Sequence, residues 1–399
     1  MANLEKLKTL IPLEELEYDC QSQIYNALEL DFVKKVCIMP DAHTGYLAPI
    51  GSIILLDKVI SPEYVGFDQG CGMCCLITSI KAKDLKHKDL IKIFNEIINK
   101  IPTGFTSREH GIDHETFKSA SGDKQLTKDV NDKLHKQKGT LGGGNHFLEL
   151  GENTNGYITI TIHSGSRKTG HLLCTYHSNI SNLNDKDLPN GFLHLNGDFG
   201  QSYIKDLDFA LQYALDNRKV MMQDILKILG LSDSLKGMIN ENHNHAIVLS
   251  NGDVLHRKGA TPADKGQIGV IPGNMRDGVY ITEGLGNQEF LSSASHGAGR
   301  KFSRSKAKDT LSMDSFKAQM KDVVCIVDPN ILDEAPDAYK DVTAVIDRQK
   351  GIVIDVIDFI KPLINIKASE EGHRDRRKKN QEARRKERKA REQEEKLYS

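Results

Sequence analysis

The chain has no long hydrophobic run. Its apolar stretches, such as Ile53-Ile-Leu-Leu56, last a few residues, far short of the ~18–20 needed to span a bilayer. It also lacks a positively charged start followed by an apolar core. Met1 leads into Ala-Asn-Leu-Glu-Lys, so no secretory signal is expected and a cytoplasmic location is. A disulfide framework is missing. The seven cysteines, Cys20, Cys37, Cys71, Cys74, Cys75, Cys174 and Cys325, are odd in number and scattered. Cys71 and Cys74 form one CxxC, but no second pair follows at zinc-ribbon spacing. No internal repeat is found. With 399 residues and 38% hydrophobic content, the chain can bury a large core as one big domain or two ordinary ones.

Net charge is nearly absent, −1 overall, yet it is unevenly spread. Arg374 to Lys396 holds 12 of the 54 basic and 6 of the 55 acidic residues, so that stretch is +6 and the rest −7. An acidic body with a basic tail differs from a neutral protein. The stretch contains no aromatic or β-branched residue, so it cannot bury enough apolar surface to fold alone. Its Arg, Lys, Glu, Gln and Ala suit a solvated helix or disorder. The expected division is a domain over 1–368 and a charged tail over 369–399.

The chain is organised around Ile60-Ser-Pro-Glu-Tyr-Val-Gly-Phe-Asp68-Gln-Gly-Cys71. A carboxylate and a thiol stand three residues apart among glycines, which permit the tight path that turns both to one point. A hard oxygen and a soft sulfur aimed together make half of a metal site. A buried turn with a structural cysteine is the competing reading.

Residues 1–35 read as a helical lead-in. Val36-Cys-Ile-Met39 is a short strand that hands over to Asp41-Ala-His43-Thr-Gly45, and Pro49 to Leu56 is a second, buried strand. Loops at strand ends are where functional side chains collect, so Asp41 and His43 are candidates. Asp84–Lys100 has helical spacing, and 105–138 looks polar and loose. Gly142-Gly-Gly-Asn145-His146 follows; three glycines are entropically costly, which suggests backbone close to a ligand. Tyr157-Ile-Thr-Ile-Thr-Ile-His163 alternates with period two, a strand with one half-buried face that delivers His163 into Ser-Gly-Ser-Arg167. Asp206–Leu229 carries a helical stripe. His243 and His245 would share one face of a strand, or one of them is only a polar neighbour. The last dense cluster is His296-Gly-Ala-Gly-Arg300, and from 308 to 368 helices and strands close the domain.

Asp68, Cys71, His146, His163, His243 and His296 are thus the polar residues in strand-end and glycine-rich settings. Five suit two metal ions if Cys71 bridges, leaving one histidine for chemistry. Adjacent cations neutralise phosphate oxygens and activate an attacking oxygen. Arg167, Arg300 and Lys258 add charges that phosphates need. Ligand softness alone favours zinc or cobalt over manganese. This points to a dinuclear metal enzyme acting on a phosphate ester or anhydride.

The set resembles the RtcB-type RNA ligases. The resemblance rests on Met39-Pro-Asp-Ala-His-Thr-Gly45, Val65-Gly-Phe-Asp-Gln-Gly-Cys-Gly-Met73, Gly142 to Glu149, and His163-Ser-Gly-Ser-Arg167. It continues through Asn217-Arg218, His243-Asn244, Arg257-Lys-Gly-Ala260, Ile271-Pro-Gly273, His296 to Arg304, Glu334-Ala-Pro336 and Lys367. These motifs run in family order over roughly 330 residues. The pattern is closer to the shorter bacterial branch.

The resemblance implies an α+β fold, a single large domain of mixed sheets flanked by helices around a central metal cleft. It implies ligation of RNA ends bearing a 2′,3′-cyclic phosphate or 3′-phosphate to 5′-hydroxyl ends, with GTP and two Mn2+ ions. Asp68, Cys71 and His146 would hold one ion, and Cys71, His163 and His243 the other. His296 would accept GMP, and Asp41 would orient its imidazole. Asn145, His146, Phe147, Leu148, Glu149, His243, Asn244, Pro272, Gly273, Asn274, Met275, His296, Gly297, Ala298, Gly299 and Lys367 match guanylate-contacting positions. Arg167 and Arg300 are candidates for RNA phosphates, and the basic tail for an electrostatic arm on RNA. The family pattern is altered at Pro272-Gly-Asn-Met-Arg-Asp277, where Gly-Ser-Met-Gly is common. Two other classes fit the same residues: a metal-dependent phosphodiesterase or cyclic phosphatase that does not ligate, and a non-catalytic RNA-binding module. A module of that kind has no need for all five ligands and the nucleophile.

Overall fold

A computed structural model describes residues 2–184 and 187–368. The basic stretch expected as a tail lies outside them. The first half of the chain forms β1 (Leu7–Thr9), α1 (Tyr18–Leu28), β2 (Val33–His43), β3 (Ile50–Asp57), β4 (Val59–Ile60) and α2 (Pro62–Val65). Then come β5 (Gly72–Lys81), α3 (His87–Lys100), α4 (Lys124–Gln137), β6 (Phe147–Asn153), β7 (Tyr157–Ser164) and α5 (Lys168–Asn184). After β8 (Leu193–His194) and the long α6 (Asp198–Ile228) the chain returns through β9 (Ile239–Asn242), β10 (Asn244–Val248), β11 (Asp253–Lys258) and β12 (Ala260–Pro262). It closes with β13 (Ile268–Pro272), β14 (Val279–Gly284), β15 (Ser293–Ser295), α7 (Arg304–Thr310), α8 (Met313–Gln319), α9 (Val342–Asp347) and β16 (Ile354–Ile366). No helix among the described residues is long and apolar enough to cross a membrane.

Two sheets carry the fold, which is α+β as expected. One has the order β1-β2-β3-β11-β10, the other β13-β14-β16-β6-β7-β5-β9. Every pairing in the seven-stranded sheet is antiparallel. Antiparallel neighbours alternate direction, so the starts of β5 and β6 and the ends of β7 and β9 fall on one edge. The register places Gly72 opposite both Ser164 and Asn242, and Phe147 opposite His163. Four site residues, Cys71, His146, His163 and His243, are therefore collected on that edge by strand pairing alone. His243 is also the step between sheets, because β9 belongs to the larger and β10 to the smaller.

The core under this edge is aliphatic. Ile158, Ile160 and Ile162 of β7 pack with Ile93, Ile97 and Phe94 of α3 and with Met221, Met222 and Ile225 of α6. The opposite face of β7 is buried as well, with Thr159 and Thr161 fully enclosed. The expected half-exposed strand is thus covered on both sides, and its alternation marks two kinds of interior rather than inside and outside. The loose segment expected over 105–138 contains α4. Its Leu126, Val130 and Leu134 recur every four residues and bury beside Phe117 and Tyr213, and Asp123 caps it by accepting from Leu126 N–H at 2.7 Å. The helical lead-in is interrupted: short 3-10 turns at Leu4–Lys6 and Leu13–Glu15 flank β1, which pairs in parallel with β2, and α1 follows.

Helix α6 clamps the loops of the site edge. Asn217 accepts from the N–H groups of Gly139 and Thr140 and donates to the carbonyls of Thr140 and Gly165. Arg218, fully buried, donates to the carbonyls of Gly70 and Ser164 and to the side chains of Asn240 and Asn242. One guanidinium thereby ties together the ends of three strands. We expect Arg218→Met to cost roughly 3–5 kcal/mol, because those acceptors lose their donor out of reach of water. The midpoint of urea unfolding reads this, and an unchanged midpoint would contradict it.

Candidate active site

Five donor atoms converge at the sheet edge. Cys71 Sγ lies 3.3 Å from His146 Nε2 and 3.1 Å from His163 Nε2. His146 Nε2 is 2.9 Å from Asp68 Oδ2, and His163 Nε2 is 3.3 Å from His243 Nε2. The Cys71, His146 and His163 donor atoms all lie within 4.8 Å of one another. Local structure fixes their aim. His146 Nδ1 faces the carbonyl of Leu141 at 3.0 Å, and His163 Nδ1 that of Asn145 at 3.2 Å. A carbonyl only accepts, so each Nδ1 is placed to keep its proton when Nε2 turns a lone pair toward a cation. The Cys71 proton can satisfy one of its two imidazole neighbours but not both. A cation is what makes such a set of lone pairs attractive, and carboxylate, thiolate and imidazole donors fit one.

Charge in the cluster follows from burial. His163 and His243 are pushed well below the usual imidazole range, first by desolvation and then by neighbouring imidazoles, so both are neutral near pH 7. Burial and the Asp68 carboxylate push the Cys71 thiol up; a cation reverses that and binds the thiolate. Burial would raise Asp68, but His146 and Arg167 hold it well below the carboxylate range. The Gly142 conformation belongs here too. Its φ is +96°, and an added Cβ would collide with the Arg167 guanidinium and sit 2.7 Å from His146 Nδ1, so the loop takes a left-handed turn where a side chain would displace both.

The cluster lies between two openings. On one side is a cavity of about 350 Å3 walled by His163, His296 and Lys367; on the other is a groove of about 550 Å3 walled by Asp68, His146 and Arg167. Asn145 and Arg304 border both. His296 stands at the end of β15, its ring 4.8 Å from that of His243. Its Nδ1 donates to Asp41 Oδ2 at 2.7 Å, and Asp41 also accepts from Ser295 Oγ at 2.8 Å. Asp41 is fully buried, which would raise it, but the His296 and Ser295 hydrogen bonds keep it low and ionised. The outcome is an imidazole with a fixed tautomer and a free Nε2 lone pair. His43 points back to the Asp41 carbonyl, and burial lowers it to about 4.

Of the expected guanylate positions, Asn145, Phe147, Pro272, Gly273, Asn274, His296, Gly297, Ala298, Gly299 and Lys367 wall the cavity. Leu148 and Met275 are instead enclosed in core clusters. Glu149 lies behind the wall, bonded to Asn365 and raised to about 8 by burial. Asn244 braces the Asp68 loop, donating to the Asp68 carbonyl and accepting from Gly259 N–H. The two paired histidines separate: His243 joins the cluster, while His245 meets Arg257 at 3.0 Å. Lys258 donates to the Glu63 carbonyl and borders neither opening. Arg300 borders the cavity, but its guanidinium is held by Phe302, Asp333 and Glu334.

Sequence reasoning quoted Arg304 only as the end of the His296 motif and gave no role to it, to Tyr339 or to Asn365. Tyr339 and Phe147 flank the Lys367 ammonium, with ring centroids 5.5 and 5.6 Å away. Lys367 also contacts Glu334 at 2.6 Å. Burial raises Glu334, yet Lys367, Arg304 and Arg300 hold it well below its ordinary range. Tyr339 has no local signal in sequence, because it joins the site only through the packing of the chain after α8.

The family model described as "tRNA-splicing ligase RtcB" matches residues 23–368. The chain is 33% identical to RNA-splicing ligase RtcB1 of an Escherichia coli strain, over 88% of this chain and 95% of that protein. It is 32% identical to RNA-splicing ligase RtcB of Escherichia coli K12, with the same coverage. With tRNA-splicing ligase RtcB of Methanococcus maripaludis the identity is 29%, over 88% of this chain and 92% of that one. Matched along nearly its whole described length, this chain belongs to the RtcB family.

Proposed function

We propose that the protein is a GTP- and manganese-dependent RNA ligase that joins 2′,3′-cyclic-phosphate or 3′-phosphate ends to 5′-hydroxyl ends. The observation that carries this reading is the His296–Asp41 pair, set on the wall between a nucleotide-sized cavity and the five-donor cluster. A cavity of about 350 Å3 falls within the range of small-molecule sites. Asp68, Cys71 and His146 would hold one Mn2+ and Cys71, His163 and His243 the other. When bound, these ions supply charge neutralisation for phosphate oxygens.

Asp41 holds the Nδ1 proton of His296, leaving Nε2 to attack the α-phosphorus of GTP. The bond to the β-phosphate oxygen breaks and pyrophosphate leaves, giving a phosphoramidate. An RNA 3′-phosphate oxygen then displaces His296 and takes the GMP as an anhydride. The 5′-hydroxyl attacks the 3′-phosphorus, forms the phosphodiester and expels GMP; a cyclic phosphate is opened by water beforehand. The two openings suit this order, with the cavity for the guanylate and the groove beside Arg167 for the RNA phosphate. Two RNA fragments with matching ends should be joined only when GTP and Mn2+ are both present. Joining without GTP, or hydrolysis of the cyclic phosphate with no joined product, would refute the reading.

A further inference from the structure

Three rings meet at the surface beside Asp68. Tyr46 is 65% exposed and Phe67 39%, and His171 is exposed. The Tyr46 and Phe67 centroids are 5.5 Å apart with planes at 60°, and those of Phe67 and His171 are 5.4 Å apart at 31°. Each ring comes from a segment that also supplies the active site. Tyr46 follows His43 by three residues, Phe67 precedes Asp68, and His171 lies four residues beyond Arg167 on the first turn of α5. Lys168 Nζ is 3.4 Å from His171 Nδ1, so a cation stands at one end of the strip. None of the three rings belongs to a hydrophobic core cluster.

Contiguous exposed aromatic surface is costly to leave in water unless something covers it. A strip of rings with an adjoining cation is the chemistry that receives an unpaired base and its phosphate. We propose that Tyr46, Phe67 and His171 form a stacking platform for an unpaired base at an RNA end, next to the reacting phosphate. This rests on the RNA-ligase reading. RNA, rather than a protein partner, is the occupant because the strip is continuous with the donor cluster through Phe67–Asp68 and carries Lys168. A base already paired and stacked in a duplex cannot use the platform, so single-stranded ends are preferred over blunt ones.

The test uses the full chain and oligoribonucleotides with 2-aminopurine either at the 3′-phosphate nucleotide or at the 5′-hydroxyl nucleotide. Matched oligonucleotides carry an abasic site at the same position. Wild type should quench one of the two probes, and which one is quenched identifies the RNA end that stacks. The Tyr46→Leu/Phe67→Leu double variant should lose the quenching and bind the intact RNA about tenfold more weakly, while binding abasic RNA as wild type does. Tyr46→Leu alone, at a largely exposed position, should move in the same direction if the double variant is unstable. The platform is overturned if neither probe is quenched. It is also overturned if the variants keep the wild-type ratio of intact to abasic affinity, as expected were the rings a protein-docking site. Binding of RNA does not need GTP, so absent guanylylation of His296 in wild type would count against the ligase reading and leave these readouts standing.

Discussion

His296→Ala should lose covalent guanylylation altogether, at least about a thousandfold below wild type, because no other side chain replaces the attacking nitrogen. The other histidines near it are committed elsewhere: His163 and His243 aim Nε2 into the cluster, and His43 is turned to the Asp41 carbonyl. The variant should still fold. Asp41 keeps the Ser295 hydroxyl and the backbone N–H of residue 296 as donors, so no buried carboxylate is left without a partner. It should also ligate RNA whose 3′ end already carries the guanylate, since that step asks nothing of the imidazole. Failure on pre-activated RNA, with metals shown to be bound, would mean that His296 does more than accept GMP.

The second large effect is expected from Cys71→Ser. Sγ is the atom shared by His146 and His163, so it alone reaches both halves of the donor set. A serine hydroxyl is a far weaker ligand than a thiolate and stays protonated near neutral pH. If Cys71 bridges, the substitution should deplete both ions and with them the ligation activity. Elemental analysis after dialysis distinguishes this from a terminal ligand, for which one ion would persist. The fold should tolerate the change within about 1 kcal/mol, since Ser is the smaller near-isostere. Retention of both ions and of activity would remove the bridge from the account.

The gathering of Cys71, His146, His163 and His243 was legible because each stands at or beside the end of a strand. The apolar run before His163 and the glycines around Cys71 and His146 announce strand ends, and antiparallel pairing makes such ends neighbours. His243 and His245 could not be separated that way. The chain leaves one sheet and enters the other at His243, which breaks the two-residue rule that would have put both rings on one face. Helix α4 was passed over because only Leu126, Val130 and Leu134 are apolar on its core side, amid eleven polar residues. Charge was the poorest guide. Lys258 and Arg300 read as phosphate ligands, yet the fold turns them to Glu63 and to Glu334. Arg304 and Tyr339 wall the cavity through contacts that only the packed chain defines.

The most direct test is mass spectrometry of the protein after incubation with GTP and Mn2+ and digestion under neutral or alkaline conditions that spare a phosphoramidate. The account predicts a GMP adduct on the peptide containing His296, absent without the metal and absent from His296→Ala. An unmodified His296 peptide in protein that nonetheless joins RNA, or a GMP adduct on any other residue, would contradict it.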